Sequence, residues 1–239
     1  MENPGARLII ALDFAELPPA LALAKEIGPR VGMVKVGLEL FNSAGPGAIA
    51  ALRELGFRVF YDSKFHDIPN TVAGAAAAAG RLGVTMLNVH ALGGRAAMEA
   101  AREGACRGAS EAGFGRPLVI AVTILTSLQE SDLREQVGLP ESPREAALRL
   151  AAGAREAGLD GVVCSVEEVR DVKRACGREF LAVTPGIRPT WAAAGDQARL
   201  ATPDRALAVG ADYLVIGRPI TRAAEPGEAL ARILEEISG

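Results

Sequence analysis

The stretch RVFYDSKFHDIPNT, residues 58–71, decides both the fold and the chemistry of this chain. Its first four residues form an apolar run that predicts a buried strand, and the alanine-rich segment that follows predicts a helix. Between the two, Asp62, Lys64 and Asp67 bring three charges to the end of a core strand. Because isolated charges are costly to remove from water, we expect these side chains to pair with each other or with a charged ligand.

The rest of the chain repeats this order of strand and helix. Short apolar runs predict strands at 8–12, 33–36, 58–61, 85–89, 118–122, 161–164, 181–183 and 213–216. Helical patterns occupy 18–27, 46–55, 71–82, 95–107, 143–157, 166–176, 203–209 and 228–237. Eight alternating units are typical of a closed (β/α)8 TIM barrel, an α/β fold, and we predict that residues 1–239 form one such domain. An open doubly wound sheet is disfavoured because Asp13-Phe14-Ala15, and no glycine-rich dinucleotide turn, follows the first strand.

Composition excludes several classes of partner. The chain has 239 residues, of which 49% are hydrophobic and 23% charged, and its formal charge of −3 gives no electrostatic reason to expect nucleic acid or an anionic membrane as partner. We expect no targeting segment and no membrane span, since no apolar run approaches ~20 residues. The three cysteines are odd in number and lack metal-ligand spacing, which predicts a reducing, cytoplasmic location.

Catalytic residues of barrel enzymes lie at the C-terminal ends of the strands and in the loops that follow. The polar residues at those positions are Asp13, Lys35, Asp62, Lys64, Asp67, His90, Thr123, Thr126, Ser127, Thr184, Arg188 and Arg218. Period-2 alternation places residues 9, 11 and 13 on one face of the first strand, and Phe60, Asp62 and Lys64 on one face of the third. Lys35 lies on the strand between them, so four charged groups are expected to converge at the barrel mouth.

The spacing Asp-x-Lys-x-x-Asp indicates what Lys64 does. A lysine beside carboxylates keeps its proton, whereas a Schiff-base lysine needs a depressed pKa. Lys64 is therefore predicted to be a cation and proton donor and not an imine-forming amine. Only four of the 26 basic residues are Lys, and two of them end predicted core strands, which favours a compact, transferable proton there. Biased genome composition is the alternative explanation for the scarcity of lysine.

The position of Asp67 leaves several roles open. It lies five residues after Asp62 and cannot continue the same strand face. Pro69 suits the first turn of the next helix, which makes Ile68 the N-cap and places Asp67 one residue too early for simple capping. Capping therefore fits poorly but stays open; otherwise Asp67 folds back to the site or projects into a neighbouring protomer.

The late strands predict a phosphate site, because the loops after strands seven and eight bind phosphate in many barrels. Gly186 and Gly217 allow close backbone approach, and Arg188 and Arg218 offer forked donors. A solvated surface charge is the alternative for either arginine alone, but two at neighbouring strand ends favour phosphate. The loop at 189–197 is long enough to act as a lid.

The two histidines and Cys164 are assigned structural roles. His66 and His90 have no third ligand at a recognisable spacing, so structural hydrogen bonding is favoured over metal ligation, although a carboxylate-lined site can recruit Mg²⁺. Cys164 ends the sixth strand and is expected to pack in the core.

Residues 62–71 closely resemble the signature of the orotidine 5′-phosphate decarboxylase family. The likeness continues, in family order, in Ala11-Leu12-Asp13, Val34-Lys35-Val36-Gly37, Asn88-Val89-His90, Val122-Thr123-Ile124-Leu125-Thr126-Ser127, Val183-Thr184-Pro185-Gly186-Ile187-Arg188-Pro189, Gly195-Asp196-Gln197 and Val215-Ile216-Gly217-Arg218-Pro219. These blocks cover nearly the whole chain.

The resemblance implies a homodimeric barrel enzyme with shared active sites. It would convert orotidine 5′-phosphate to UMP and CO₂ in de novo pyrimidine biosynthesis, with no cofactor and no metal. By carry-over, Lys64 donates a proton to C6, Asp62 lies beside the substrate carboxylate, Lys35 completes the charge network, and Asp67 enters the partner's site.

The resemblance also implies a substrate-binding set. Its members are Asp13, Lys35, Asp62, Ser63, Lys64, Phe65, His66, Asp67, Ile68, Pro69, Asn70, Thr71, Thr126, Arg188, Gln197, Gly217 and Arg218. Asp13 and Lys35 would bind ribose hydroxyls, and either Thr126 or Ser127 would meet the pyrimidine. Gln197 would bridge the lid to phosphate and base, while the two arginines and Gly217 would hold the phosphate.

Two other functions compete with this interpretation. A Mg²⁺-dependent sugar-phosphate decarboxylase or aldolase on the same scaffold would share Asp-x-Lys-x-x-Asp, but the pair Thr126-Ser127 and Gln197 disfavour it. A non-catalytic barrel that binds nucleotide phosphates is disfavoured by an intact Lys64 between two aspartates.

Overall fold

The computed structural model describes residues 4–192 and 201–238. Within them, eight parallel strands close a barrel in chain order, with the first strand paired to the last. The strands are β1 Leu8–Ala11, β2 Met33–Val36, β3 Val59–Phe65, β4 Met86–His90, β5 Leu118–Val122, β6 Gly161–Val163, β7 Leu181–Thr184 and β8 Tyr213–Ile216. The predicted (β/α)8 barrel is confirmed, and the open-sheet alternative is wrong.

Helices connect the strands on the outside of the barrel. They are α1 Leu17–Ile27, α2 Leu38–Ala44, α3 Gly47–Glu54, α4 Pro69–Arg81, α5 Arg95–Glu111, α6 Glu130–Asp132 with a π-helical turn at Leu133–Val137, α7 Pro143–Glu156, α8 Val169–Cys176, α9 Pro203–Ala208, α10 Arg218–Thr221 and α11 Pro226–Glu236. Short 3₁₀ turns occupy Pro4–Arg7, Gly28–Arg30 and Ala91–Gly93. The sequence did not predict α2, α6 or α10, because each is too short to show a helical apolar period.

The third strand departs from its predicted bounds. It runs to Phe65 and not to Tyr61, because Phe65 pairs with Val89 after a register shift. Tyr61 is paired with Leu87, so residues 62–64 together lie opposite a single residue of β4. This is a β-bulge, a device that turns a strand and redirects its side chains. Asp62 and Lys64 lie inside this bulge.

The barrel interior is filled by one apolar cluster below the site. Its buried members are Ile9, Met33, Phe60, Met86, Ile120 and Val183. The presence of Ile9 and Phe60 there confirms the predicted inward faces of the first and third strands. A second, larger cluster fills the space between the sheet and the helices and includes Cys164, which is buried as predicted.

Helix α4, which follows the charged motif, is fixed by unusually close packing against α5. A Cβ on Gly104 would overlap the carbonyl group of Ala73, and one on Gly108 would overlap that of Ala77. Glycine is required where two helix backbones approach this closely. The start of α4, and with it the end of the motif, is thereby anchored at the barrel rim.

None of the helices in the described part of the chain is both long and apolar enough to span a bilayer.

Candidate active site

A cavity of about 260 Å³ opens at the C-terminal mouth of the barrel. Eight residues predicted for the site line it: Asp13, Lys35, Asp62, Lys64, Thr126, Arg188, Gly217 and Arg218. The other lining residues are Ala11, Phe60, Val122, Ile124, Leu125, Val163, Val183, Pro185, Gly186 and Val215. The cavity therefore lies where catalytic sites of this fold are found, at the ends of the strands.

Four charged side chains form one chain of ion pairs along the wall made by β1, β2 and β3. The Lys35 Nζ lies 2.9 Å from an oxygen of Asp13 and 3.3 Å from the Asp62 Oδ2. The Lys64 Nζ lies 2.7 Å from the Asp62 Oδ1. The charges alternate in sign and sum to zero, so each buried charge faces at least one opposite charge. The predicted convergence of four charges is confirmed.

The two central side chains in this series of ion pairs are more buried than the two at its ends. The side chains of Lys35 and Asp62 are 9% and 12% exposed, against 54% for Asp13. Burial alone lowers the pKa of Lys35, but the nearby Asp62 and Asp13 outweigh it and the pKa of Lys35 is raised. Burial alone raises the pKa of Asp62, but Lys35 and Lys64 outweigh it and the pKa of Asp62 is lowered. Both groups are therefore charged at neutral pH.

The bulge on β3 is held by Asn88 on β4. The Asn88 Oδ1 accepts from the Lys64 backbone N–H at 2.7 Å, and its Nδ2 donates to the Asp62 Oδ1 at 2.7 Å. The Ser63 hydroxyl donates to the Asn88 carbonyl at 2.8 Å. Lys64 has a φ of +49°, and in the described residues no other non-glycine residue has a positive φ. Sequence reasoning missed Asn88 as a site residue; its signal is a polar residue inside the apolar run 85–89.

The opposite wall is made by the loops after β7 and β8. Gly186 has a φ of +77°, which the turn into this wall requires. Arg188 is 9% exposed, and its guanidinium donates to the Ile187 carbonyl at 3.2 Å. Arg218 follows β8 and lines the same cavity. The two predicted arginines therefore do meet at one wall.

The predicted lid lies mostly outside the described residues, and so does Gln197. Of the two residues expected to contact a pyrimidine, Thr126 lines the cavity, whereas Ser127 is exposed and is not among the lining residues. The neighbouring Ile124 and Leu125 form an apolar edge that sequence reasoning missed. Their signal is the apolar pair directly before Thr126.

The remaining predicted site residues lie away from the cavity of a single chain. Ser63 is buried against β4, and the Phe65 ring lies edge-on to that of Tyr61 at 5.9 Å. His66 contacts the ring of His90 at a centroid distance of 5.4 Å. The segment from Asp67 through Ile68, Pro69, Asn70 and Thr71 is exposed.

The structure also shows that Asp67 does not cap α4. Ile68 is the N-cap and no side chain makes the capping hydrogen bond. The Asp67 carboxylate instead accepts from the adjacent Ile68 N–H at 2.6 Å. Simple capping, which the sequence left open, is therefore wrong, and Asp67 does not line its own chain's cavity.

His90 lies at the end of β4 with a poorly satisfied ring. Burial lowers its pKa, and the nearby His66 and Lys64 lower it further, while Asp62 opposes them. Its Nδ1 is buried and, among the described residues, has no hydrogen-bond partner. The expected structural hydrogen bond is therefore not found at this atom. In the ranges 4–192 and 201–238, no group of three or more His, Cys, Asp or Glu side chains is arranged to hold a metal ion.

Comparison with family models matches residues 6–233 to the orotidine 5′-phosphate decarboxylase / HUMPS family. The chain belongs to this family. A relative from Halorhodospira halophila named orotidine 5′-phosphate decarboxylase is 54% identical over 239 residues, covering 100% of this chain and 99% of its own. Another of the same name from Alkalilimnicola ehrlichii is 55% identical over 233 residues, covering 98% and 97%.

Solved structures of similar chains agree with the fold throughout. The crystal structure of orotidine 5′-phosphate decarboxylase from Lactobacillus acidophilus matches with a TM-score of 0.86 and 39% identity, covering 97% of this chain and 99% of that one. An uncharacterized conserved protein from Geobacillus kaustophilus matches with a TM-score of 0.84 and 43% identity, covering 96% and 99%. The resemblance inferred from the motifs is confirmed at the level of the family.

Proposed function

We propose that this chain decarboxylates orotidine 5′-phosphate to UMP and CO₂, the final step of de novo UMP synthesis. The observation that carries the proposal is the arrangement of the cavity, in which the alternating charges of Asp13, Lys35, Asp62 and Lys64 face an arginine-bearing wall. The names of relatives that share about half of the sequence support the same reaction.

Lys64 supplies the chemistry. When the bond between C6 and the carboxyl group breaks, its electron pair stays on C6, which has no adjacent electron sink. A fixed ammonium stabilises this charge as it develops and then gives it a proton. The product carries the new C6–H bond, and the neutral amine regains its proton from water. Asp62, at 2.7 Å from the Lys64 Nζ, keeps the ammonium oriented.

The opposite wall binds the phosphate. Arg188 and Arg218 donate to its oxygens, and Gly217 lets the backbone come close. Asp13 and Lys35 bind the ribose hydroxyls, and Thr126 contacts the pyrimidine. Gln197, in the lid, joins phosphate and base. Binding energy gained at the phosphate orients C6 toward Lys64, which lies across the cavity.

A second copy of the chain completes the site. Asp67 has no role in its own cavity, and the adjacent Ile68 is 67% exposed at the barrel rim. Covering the Ile68 side chain at an interface would remove apolar surface from water, which favours association. We place this segment in a homodimer interface, where Ile68 is covered and Asp67 reaches the partner's substrate together with Thr71.

The test is an ultraviolet assay for loss of orotidine 5′-phosphate, run with and without EDTA. We expect turnover that EDTA leaves unchanged, and a Lys25→Ala control, altered on the exposed face of α1, that matches the unmodified enzyme. Loss of activity in EDTA would support a Mg²⁺-dependent reaction instead. Binding of UMP without any turnover would support a non-catalytic binding barrel.

A further inference from the structure

The bulge on β3 gives three consecutive residues one common partner. Asn88 contacts Asp62 and Lys64 through its side chain and Ser63 through its carbonyl group. It is 1% exposed, so solvent cannot replace these bonds. We propose that Asn88 is a positioning residue, whose carboxamide sets the Asp62 carboxylate and the Lys64 backbone so that the Lys64 ammonium faces the substrate. This inference rests on the proposed function.

Asn88 holds the backbone of Lys64 in its unusual conformation. A φ of +49° is unfavourable for a residue with a Cβ, and such conformations persist where the surroundings enforce them. The bond from the Lys64 N–H to the Asn88 Oδ1 does this, since the bulge removes that N–H from the regular ladder. Without this bond Lys64 would relax toward a regular strand conformation, which removes the local bend of the bulge and moves the Lys64 side chain relative to Asp62.

Asn88 also contacts the carboxylate of Asp62. Its Oδ2 faces Lys35 at 3.3 Å, while its Oδ1 receives both the Lys64 Nζ and the Asn88 Nδ2 at 2.7 Å. The amide donor adds a third bond to the two ion pairs that hold the carboxylate, and it ties the Asp62 Oδ1 to β4 as well as to Lys64. Asparagine suits the position because it offers one donor and one acceptor on one rigid group.

Two substitutions separate these contributions. Asn88→Ala removes both side-chain bonds. Asn88→Asp keeps the shape and the acceptor for the Lys64 N–H but replaces the donor with a carboxylate oxygen beside Asp62. When two carboxylates share a site, one of the two pKa values of the pair is strongly raised. The control is Thr123→Val on the residue after β5. Thr123 is equally buried, its hydroxyl donates to the Val163 carbonyl at 3.0 Å, and it is not among the residues that line the cavity.

For Asn88→Ala we expect kcat to fall about 100-fold, as for a modest misplacement of a catalytic group, while the Kd for UMP changes less than about threefold. For Asn88→Asp the acid limb of the profile of kcat/KM against pH should move up by more than about one pH unit. Thr123→Val should lower Tm to a similar extent and keep kcat. Amide hydrogen exchange at Lys64 should be slow in the unmodified protein and fast in Asn88→Ala.

The inference is overturned if Asn88→Ala keeps kcat, if kcat falls equally in Thr123→Val, or if the Asn88→Asp profile superimposes on the original. It is overturned independently of activity if Lys64 amide exchange is the same with and without the Asn88 side chain. Absence of turnover in the unmodified protein contradicts the proposed function instead, and the exchange measurement then still decides the role of Asn88. Should Asn88→Ala not fold, Asn88→Asp supplies both readouts through its pH profile and its retained exchange protection.

Discussion

The two walls of the cavity are built from different parts of the fold, and we assign them different roles. On one wall, Lys35, Asp62 and Lys64 sit on strands and are paired with each other. On the other, Arg188 lies on the loop after β7, and Arg218 begins the short helix α10 directly after β8. Strands of a closed barrel hold a side chain more precisely than loops do, whereas loops accommodate the arrival of a ligand. The strand wall should therefore control kcat, and the loop wall KM.

The most direct test of this division is Lys64→Ala. Because it removes both the cation and the proton donor, we expect kcat to fall by at least about 1,000-fold. UMP binding, measured by calorimetry, should stay within a few-fold, since phosphate and ribose contacts are intact. A variant that retained most of its activity would remove Lys64 from the chemistry and the strand wall from its assigned role.

A mixing experiment tests whether Asp67 of one subunit contributes to the active site of the other subunit across the proposed interface. In Asp67→Ala alone, kcat should fall about 100-fold, which is comparable to the loss when one electrostatically stabilising group is removed from an enzyme active site. Mixed with Lys64→Ala, it should form hybrid dimers with one intact and one doubly defective site. Random pairing makes half of the dimers hybrid, so about a quarter of the original activity should return. No recovery, with subunit exchange verified by mass spectrometry of tagged chains, would contradict a shared site.

The sequence predicted the barrel because each strand and helix carries its own local pattern. It also predicted that Asp13, Lys35, Asp62 and Lys64 converge, since strand ends of a parallel barrel meet at one rim. It did not predict the bulge or the role of Asn88. Both depend on the hydrogen-bond register between β3 and β4, in which residues 62–64 of β3 lie opposite one residue of β4. This register does not alter the periodicity of apolar residues in the sequence. The sequence predicted Asp67 as a site residue, but Asp67 is not among the residues that line the cavity of its own chain.

The loop wall is tested by Arg218→Ala. Loss of a charge-assisted bond to phosphate costs about 1.5–3 kcal/mol, so KM should rise roughly 10- to 100-fold while kcat stays within about threefold. Arg222→Ala, which removes an exposed arginine directly after α10, is the matched control and should change neither constant. If Arg218→Ala lowered kcat as strongly as Lys64→Ala, the two walls would not have separate roles.

The smallest expected effect is a dependence of stability on pH, and it concerns the strand wall. No histidine is among the described residues of the loop wall that line the cavity. At the edge of the strand wall, burial together with His66 and Lys64 lowers the pKa of His90. Below the ordinary pKa of about 6.5, the unfolded chain therefore binds a proton at this residue that the folded chain binds only at lower pH, and stability falls as the pH drops through that window.

His90→Asn should remove this loss. We expect the Tm of the original protein to fall further between pH 7.5 and 5.5 than the Tm of His90→Asn, by no more than about 4 °C, because 1 kcal/mol corresponds to only a few degrees in a protein of this size. Differential scanning calorimetry at the two pH values measures it, and His66, present in both proteins, cancels in the difference. Equal decreases would show that the buried Nδ1 of His90, which has no hydrogen-bond partner among the described residues, carries no pH-dependent cost in stability.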